Sequence, residues 1–200
     1  GMAFAYGAAF VAMADMKDGL LIENPVMNKI GFQTGDKILS IDGEKIEKYD
    51  NEINMKLIMG KQVQIERNGA AQTIQMPVDL VDQLSKLEKG PLVNIRMPFA
   101  VTAIPEESLN KQLQPKDVIV SMNGQPAKYY DQVKAILNAN KGKTLPAVVI
   151  RNEKEVPVQV IVNQEAKLGI LNSQGIQQHI CDILEGGERA FELRKNKYHI

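Results

Sequence analysis

Apolar and polar residues alternate over short segments along much of this chain, with the period of two that is typical of β-strands. The alternation predicts strands at residues 36–41, 61–67 and 71–76, and the last two meet at Asn68-Gly69, a dipeptide typical of tight hairpins. Between the first two strands, apolar residues at helical spacing predict a helix over residues 50–59. The pattern therefore predicts a mainly β fold with short helices, in the α+β class.

The same order of predicted elements occurs twice. Residues 36–50 return at residues 117–131 with six identical positions, where unrelated sequences would share about one. The identical pairs are Asp36/Asp117, Ile38/Ile119, Ser40/Ser121, Gly43/Gly124, Tyr49/Tyr130 and Asp50/Asp131. Further along, Arg67-Asn68 returns as Arg151-Asn152. This internal repeat predicts two copies of one domain.

The repeat divides the chain into an N-terminal flank at residues 1–18, a first domain at 19–80, a connector at 81–90, a second domain at 91–170 and a C-terminal flank at 171–200. The connector and the C-terminal flank both have helical patterns. Residues 2–14 carry no charge but are too few to span a bilayer, which takes about 20 residues. This run is either packed on the core or the outer end of a membrane helix.

Composition favours a binding module over an enzyme. The 24 basic and 24 acidic side chains cancel, so no general attraction to nucleic acid is expected. Cys181 is the single cysteine, and the two histidines, His179 and His199, lie near the C-terminus. Cys181 and His179 have no third metal ligand close by, and no motif places a serine beside a histidine and an acid. We therefore predict no catalytic residue, no metal site and no cofactor within these residues.

The first copy resembles a known family of domains at its loop and turn. Residues 31–43, with Gly31, Gly35-Asp36 and Gly43, are similar to the signature of PDZ domains in the circularly permuted arrangement of bacterial envelope proteases. In the second copy Gln112 and Lys116 stand where the first copy has its two loop glycines. The resemblance covers residues 19–170 and implies two PDZ-like, partly open β-barrels in tandem.

Two such units after an apolar run resemble the periplasmic insert of the site-2 protease family, of the regulator-of-sigma-E type of intramembrane zinc metalloprotease. The joining segment at residues 96–101 is similar to that of bacterial relatives. The resemblance implies a parent zinc metalloendopeptidase at the periplasmic face of the inner membrane, with residues 2–14 at the end of its second membrane helix. The sequence has no His-Glu-x-x-His motif, so the implied zinc would be held outside these residues.

PDZ domains bind peptides by β-augmentation: the peptide adds a strand to a sheet edge, and loop N–H groups receive its terminal carboxylate. The family loop pattern is x-Φ-Gly-Φ, where Φ is apolar, and the resemblance places it ahead of the second repeat, opposite a helix that begins at Asp131. The predicted peptide-binding residues are Leu92, Val93, Asn94, Ile95, Val133 and Ile136. Asn94 stands at the glycine position, and asparagine tolerates positive φ better than most residues. The alternative is that these six are only core and loop residues.

Two further segments bear on the groove. The first copy shows no clear carboxylate loop, and its groove is predicted to be occluded or used for packing. Leu168-Gly169-Ile170 fits the loop pattern by its letters, but it follows the second repeat, and a permuted domain is expected to carry its loop ahead of the repeat. We therefore predict that these three residues form a strand that closes the second barrel.

The resemblance predicts a non-catalytic PDZ tandem that filters or positions protein substrates for an intramembrane zinc metalloprotease. Two alternatives stay open: the PDZ region of an envelope serine protease that binds C-terminal peptides, and a stand-alone PDZ adaptor. In each case the expected partners are proteins or peptides, with C-termini as one mode of recognition. No nucleic-acid partner is expected, and the membrane is reached only through the parent chain.

Overall fold

A computed structural model of the chain describes residues 14–50, 52–88 and 90–175. It divides into two compact units, one extending to Arg96 and the other starting at Met97. The uncharged run at residues 2–13 and most of the C-terminal flank, with His179 and Cys181, lie outside the described residues. Within those residues, no helix is both long and apolar enough to cross a membrane.

The first unit is mostly β with short helices. It contains β1 (Ala14–Asp15), β2 (Leu20–Leu21), α1 (Pro25–Ile30), β3 (Lys37–Ile41), β4 (Glu44–Lys45), β5 (Lys48–Tyr49), α2 (Ile53–Met59), β6 (Gln62–Arg67), β7 (Ala70–Gln75), α3 (Leu80–Ser85) and β8 (Asn94–Ile95). Its four-stranded antiparallel sheet has the order β4-β3-β6-β7. Two smaller antiparallel sheets pair β1 with β5 and β2 with β8.

The second unit repeats this plan. It contains β9 (Val101–Ala103), β10 (Val118–Met122), β11 (Gln125–Pro126), α4 (Tyr130–Ala139), β12 (Thr144–Arg151), β13 (Lys154–Ile161) and β14 (Leu171–Asn172). Its four-stranded antiparallel sheet has the order β11-β10-β12-β13, which matches the first unit strand for strand, and β14 pairs with β9. The predicted mainly β fold with short helices is confirmed in both units.

The boundary between the units falls later than the repeat alone predicts. The first unit extends beyond residue 80 because Leu84 and Leu87 of the connector pack against its core, and Leu92 and Val93, which follow the connector, are buried in that core. The second unit accordingly begins at Met97 and not at residue 91. The first two residues of the predicted helical flank, Leu171–Asn172, form strand β14, because they complete the second unit by pairing with β9.

A buried ion pair organises the first unit. The Asp36 side chain is 1% exposed, and Nε and Nη2 of Arg67 donate to its two carboxylate oxygens, each at 2.8 Å. Nη2 of Arg67 also donates to the carbonyl oxygen of Gly31 at 2.7 Å, and the backbone N–H of Gln33 donates to Asp36 at 2.8 Å. Hydrogen bonding to Asp36 raises the pKa of Arg67 above its usual value. This bidentate geometry holds the loop before β3 in one conformation.

The second unit contains the same ion pair. Nε and Nη2 of Arg151 donate to the carboxylate of Asp117 at 2.9 and 2.7 Å, and Nη2 also donates to the carbonyl oxygen of Gln112 at 3.0 Å. The loop keeps its shape without the two glycines of the first copy, because Lys116 adopts a φ of +78°, close to the +99° of Gly35. The aspartates and arginines that the repeat shares therefore form the same ion pair, with the same geometry, once in each unit.

In each unit the ion-pair loop holds one short strand, β2 in the first unit and β9 in the second. In the first, the N–H of Leu20 donates to the carbonyl of Asp36 at 2.9 Å, and the N–H of Gly35 donates to the carbonyl of Leu20 at 2.8 Å. In the second, Val101 makes the same two bonds with Asp117 and Lys116, both at 2.8 Å. The position of β2 and of β9 therefore depends on the ion pair behind it.

We expect Arg67→Met to destabilise the first unit by about 3 kcal/mol, because it leaves the buried carboxylate of Asp36 without its cation. Urea-induced unfolding of the whole chain measures the loss, and hydrogen exchange locates it in the first unit. Arg151→Met should place a similar loss in the second unit, and the exposed Lys61→Met serves as the control. A change below about 1 kcal/mol, the range of surface ion pairs, would contradict this role.

Candidate functional site

The six residues predicted to form one groove are divided between the two units. Leu92, Val93, Asn94 and Ile95 belong to the first unit, where Asn94–Ile95 is strand β8 and pairs with Leu20–Leu21. Val133 and Ile136 lie on α4 of the second unit, and both are buried. The predicted combination therefore draws on two units, because the segment ahead of the second repeat is the last strand of the first unit.

Each unit ends in a short strand that pairs with a short strand near its start. β8 pairs with β2, and β14 pairs with β9. The segment leading directly into β14 is Leu168-Gly169-Ile170, which is loop, so the prediction that these three residues are a strand is wrong by position: the strand starts at Leu171. The apolar-glycine-apolar pattern of residues 168–170 indicates this loop, whereas the expected order of elements led to the prediction of a strand.

Two side chains fix the loop before β14 through hydrogen bonds to one of its carbonyl oxygens. The carbonyl oxygen of Leu168 accepts hydrogen bonds from Nδ2 of Asn110 at 2.7 Å and from Oγ of Ser108 at 3.2 Å. In a planar trans peptide the carbonyl and the following N–H point in opposite directions, so the N–H of Gly169 is turned away from Asn110. Gly169 has a φ of +71°, a conformation that glycine adopts at no steric cost.

Three consecutive backbone donors in this loop lack an acceptor. Within the part of the chain that the structure describes, the N–H groups of Leu168, Gly169 and Ile170 make no hydrogen bond to protein. The side chains of Leu168 and Ile170 are 2% and 0% exposed, which anchors the loop on both sides of the glycine. A run of backbone N–H groups in a loop with a positive φ is a suitable receptor for an anionic oxygen.

The strand that follows the loop has one strand partner among the described residues. β14 pairs with β9 on one side, and no other described strand lies on its second side. The side chain of Leu171 in β14 is 46% exposed. An unpaired strand edge can receive an additional strand from another chain. The loop and the edge together can therefore bind the end of an extended peptide.

Asn110 is the residue that ties this site to the rest of the second unit. It is fully buried, and besides Leu168 it bonds Ile161 twice, accepting from its N–H at 2.7 Å and donating to its carbonyl at 2.9 Å. The side chain of Gln112 donates to Oδ1 of Asn110 at 2.9 Å. Asn110 thus joins the end of β13 to the loop before β14.

The corresponding loop of the first unit has its donors filled. Oδ1 of Asn54, on α2, accepts the N–H groups of Leu92 and Val93, each at 3.1 Å. The N–H of Ile95 donates to Oδ1 of Asn94 at 2.9 Å. The loop ahead of β8 therefore has acceptors within its own unit for the N–H groups of Leu92 and Val93, whereas the loop ahead of β14 has none among the described residues. Among the described residues, no group of three or more His, Cys, Asp or Glu side chains could hold a metal ion.

No family model matches the sequence. Among solved structures, the chain is similar to the PDZ domain of an SdrC-like protein from Listeria monocytogenes, with 15% sequence identity and a TM-score of 0.35. The match covers 41% of this chain and 94% of that domain.

We expect Asn110→Ala to destabilise the second unit by about 2–4 kcal/mol, because it leaves buried backbone groups of Ile161 and Leu168 unpaired. Urea-induced unfolding of the whole chain measures the loss, and hydrogen exchange should show faster exchange around residues 161–170. The control is Asn138→Ala, which truncates an exposed asparagine on α4. Equal effects of the two substitutions would show that Asn110 does not hold the loop.

Proposed function

We propose that the chain is a tandem of two PDZ-like domains of the circularly permuted type, and that the second unit binds the C-terminal end of a protein or peptide. The observation that carries the proposal is the run of three N–H groups at Leu168, Gly169 and Ile170 that have no acceptor among the described residues, directly before β14, which pairs with β9 alone among the described strands. The terminal carboxylate would accept from these N–H groups, and the preceding peptide residues would pair with β14.

The order of elements supports the permuted arrangement. In each unit the strand that follows the candidate loop is the last along the chain and pairs with the strand that the ion-pair loop holds, β2 or β9. The repeated ion pair, Asp36 with Arg67 and Asp117 with Arg151, supports a duplication of the whole domain. Peptide capture of this kind needs only backbone donors and an edge, and so it needs no metal or cofactor in this chain.

The wider role we propose is that of a non-catalytic domain pair that filters or positions substrates for an intramembrane zinc metalloprotease at the periplasmic face of the membrane. The sequence resemblance at residues 31–43 and 96–101 supports it. The surrounding reading frame tests it: His-Glu-x-x-His in a preceding membrane helix would support this role, and Gly-x-Ser-Gly-Gly would support an envelope serine protease. If neither motif is found, a stand-alone adaptor remains.

We expect short peptides that end in valine, leucine or alanine to bind the second unit at least about tenfold more tightly with a free carboxylate than with a C-terminal amide, because the anion makes charge-assisted hydrogen bonds. Calorimetry on the whole chain measures the affinities. Amide signals of Leu168, Gly169 and Ile170 should shift in NMR spectra on binding. Equal affinity of acid and amide would contradict carboxylate capture.

A matched pair of substitutions at Gly169 sharpens this test. Asparagine and aspartate both tolerate positive φ and have nearly the same shape, but only aspartate places a negative charge beside the loop. We expect Gly169→Asp to weaken binding of the free-acid peptide at least about tenfold relative to Gly169→Asn, through repulsion between the two carboxylates. If both variants bind alike, the carboxylate does not sit at this loop.

A further inference from the structure

The loop of the first unit is occupied by a side chain of its own domain. Asn54 is the second residue of α2, and its carboxamide oxygen accepts the N–H groups of Leu92 and Val93, each at 3.1 Å. Asn54 is half-buried, and Leu92 and Val93 are 5% and 1% exposed, so these bonds lie largely out of water. One oxygen that accepts from two successive loop N–H groups has the arrangement that a carboxylate oxygen would have there.

The pairing of β8 with β2 and of β14 with β9 allows these donors to be compared with those of the second unit. Leu20 and Val101 make the same bonds to their ion-pair loops, and in the sheets Leu20 faces Ile95 while Val101 faces Asn172. Counted back along the sequence from those partners, Leu92 and Val93 take the places of Gly169 and Ile170; the pairing of β14 with β9 has a register shift between Leu171 and Asn172 that the pairing of β8 with β2 lacks. Asn54 therefore fills the two donors whose counterparts in the second unit have no acceptor within the described residues.

We propose that the first unit is a peptide-binding domain closed by its own Asn54, so that the tandem has one open loop and one closed loop. This rests on the proposed function of the second unit. A peptide that approaches the first unit must displace an acceptor that is attached to the same domain and competes at a high effective concentration. The N–H of Ile95 already donates to Oδ1 of Asn94, so a peptide would have to displace this acceptor as well.

The first test replaces the carboxamide by a carboxylate and does not depend on peptide binding. A carboxylate that accepts backbone N–H bonds has a lowered pKa. In Asn54→Asp the introduced group should therefore titrate below the usual aspartate value of about 3.9. The stability that it adds should be present above that pH and be lost as the pH falls. Amide signals of Leu92 and Val93 should titrate with it in NMR spectra.

Met55→Asp is the matched control, because Met55 is the next residue of α2, is 58% exposed, and lies among the same neighbouring charges of Asp50, Glu52 and Lys56. Its carboxylate should titrate at a higher pH than that of Asn54→Asp and leave the Leu92 and Val93 signals unchanged. If the two introduced carboxylates titrate alike, the loop is not an anion receptor and the proposal is overturned, whatever the second unit binds.

The second test opens the loop. Asn54→Ala removes the acceptor, and the free-acid peptides should then bind two sites per chain instead of one in calorimetry. In the Gly169→Asp background, in which binding at the second unit is weakened, Asn54→Ala should add one site, and amide signals of Leu92 and Val93 should report it. Binding at the second unit with no added site in a folded Asn54→Ala chain would overturn the proposal. Absence of binding at both units would overturn the proposed function, while the titration of Asn54→Asp would still decide whether the loop receives an anion.

Discussion

The bidentate contact between a buried aspartate and an arginine 31 residues later is the interaction on which the first unit depends. A carboxylate as buried as Asp36 is tolerated only when it is paired and hydrogen-bonded, so the loop around it has little freedom. The backbone of that loop holds Leu20 in β2, and β2 in turn pairs with β8, which carries the candidate loop. The second unit repeats the chain of contacts from Asp117 through Val101 to β14. The position of each candidate loop is thus set by an ion pair that lies outside it.

This shared framework ends in two different loops, and the difference comes from one side chain outside the repeat motif. In the first unit an asparagine on the helix satisfies the loop N–H groups within the domain. Donors that are hydrogen-bonded within the domain stabilise the folded unit. A ligand gains little free energy by bonding to them, because only a buried donor that is left unpaired carries a cost that binding would remove. In the second unit the loop carbonyl is bound by Asn110, and the N–H groups on the opposite side have no acceptor among the described residues. The two copies therefore differ in whether their own side chains satisfy these loop donors.

The features that sequence could predict are those encoded within a short segment. The repeat pairs Asp36 with Asp117 and Arg67 with Arg151, and the hairpin at Asn68-Gly69 follows from the φ values that these residues accept. Strands of two residues have no periodicity to detect, so β8 and β14 could be assigned to a unit only from their partners, which are distant in the chain. The contact between Asn54 and Leu92 is likewise tertiary. The apolar-glycine-apolar pattern did indicate a loop at Leu168-Gly169-Ile170, but the assumed order of elements assigned these residues to a strand.

One open loop per chain also determines how the tandem would engage its partners. Two open loops joined in one chain would bind a partner with two C-termini far more tightly than either loop alone, because the second contact forms at a high effective concentration. With the first loop closed by Asn54, that gain would be absent, and under the proposed function each chain would hold a single C-terminus through one short strand and one set of N–H groups. Such a contact is small and readily reversed, since its affinity has to exceed the cost of ordering the peptide. Weak single capture suits a domain that presents many different chain ends to another site and then releases them, whereas tight bivalent capture would suit a permanent scaffold.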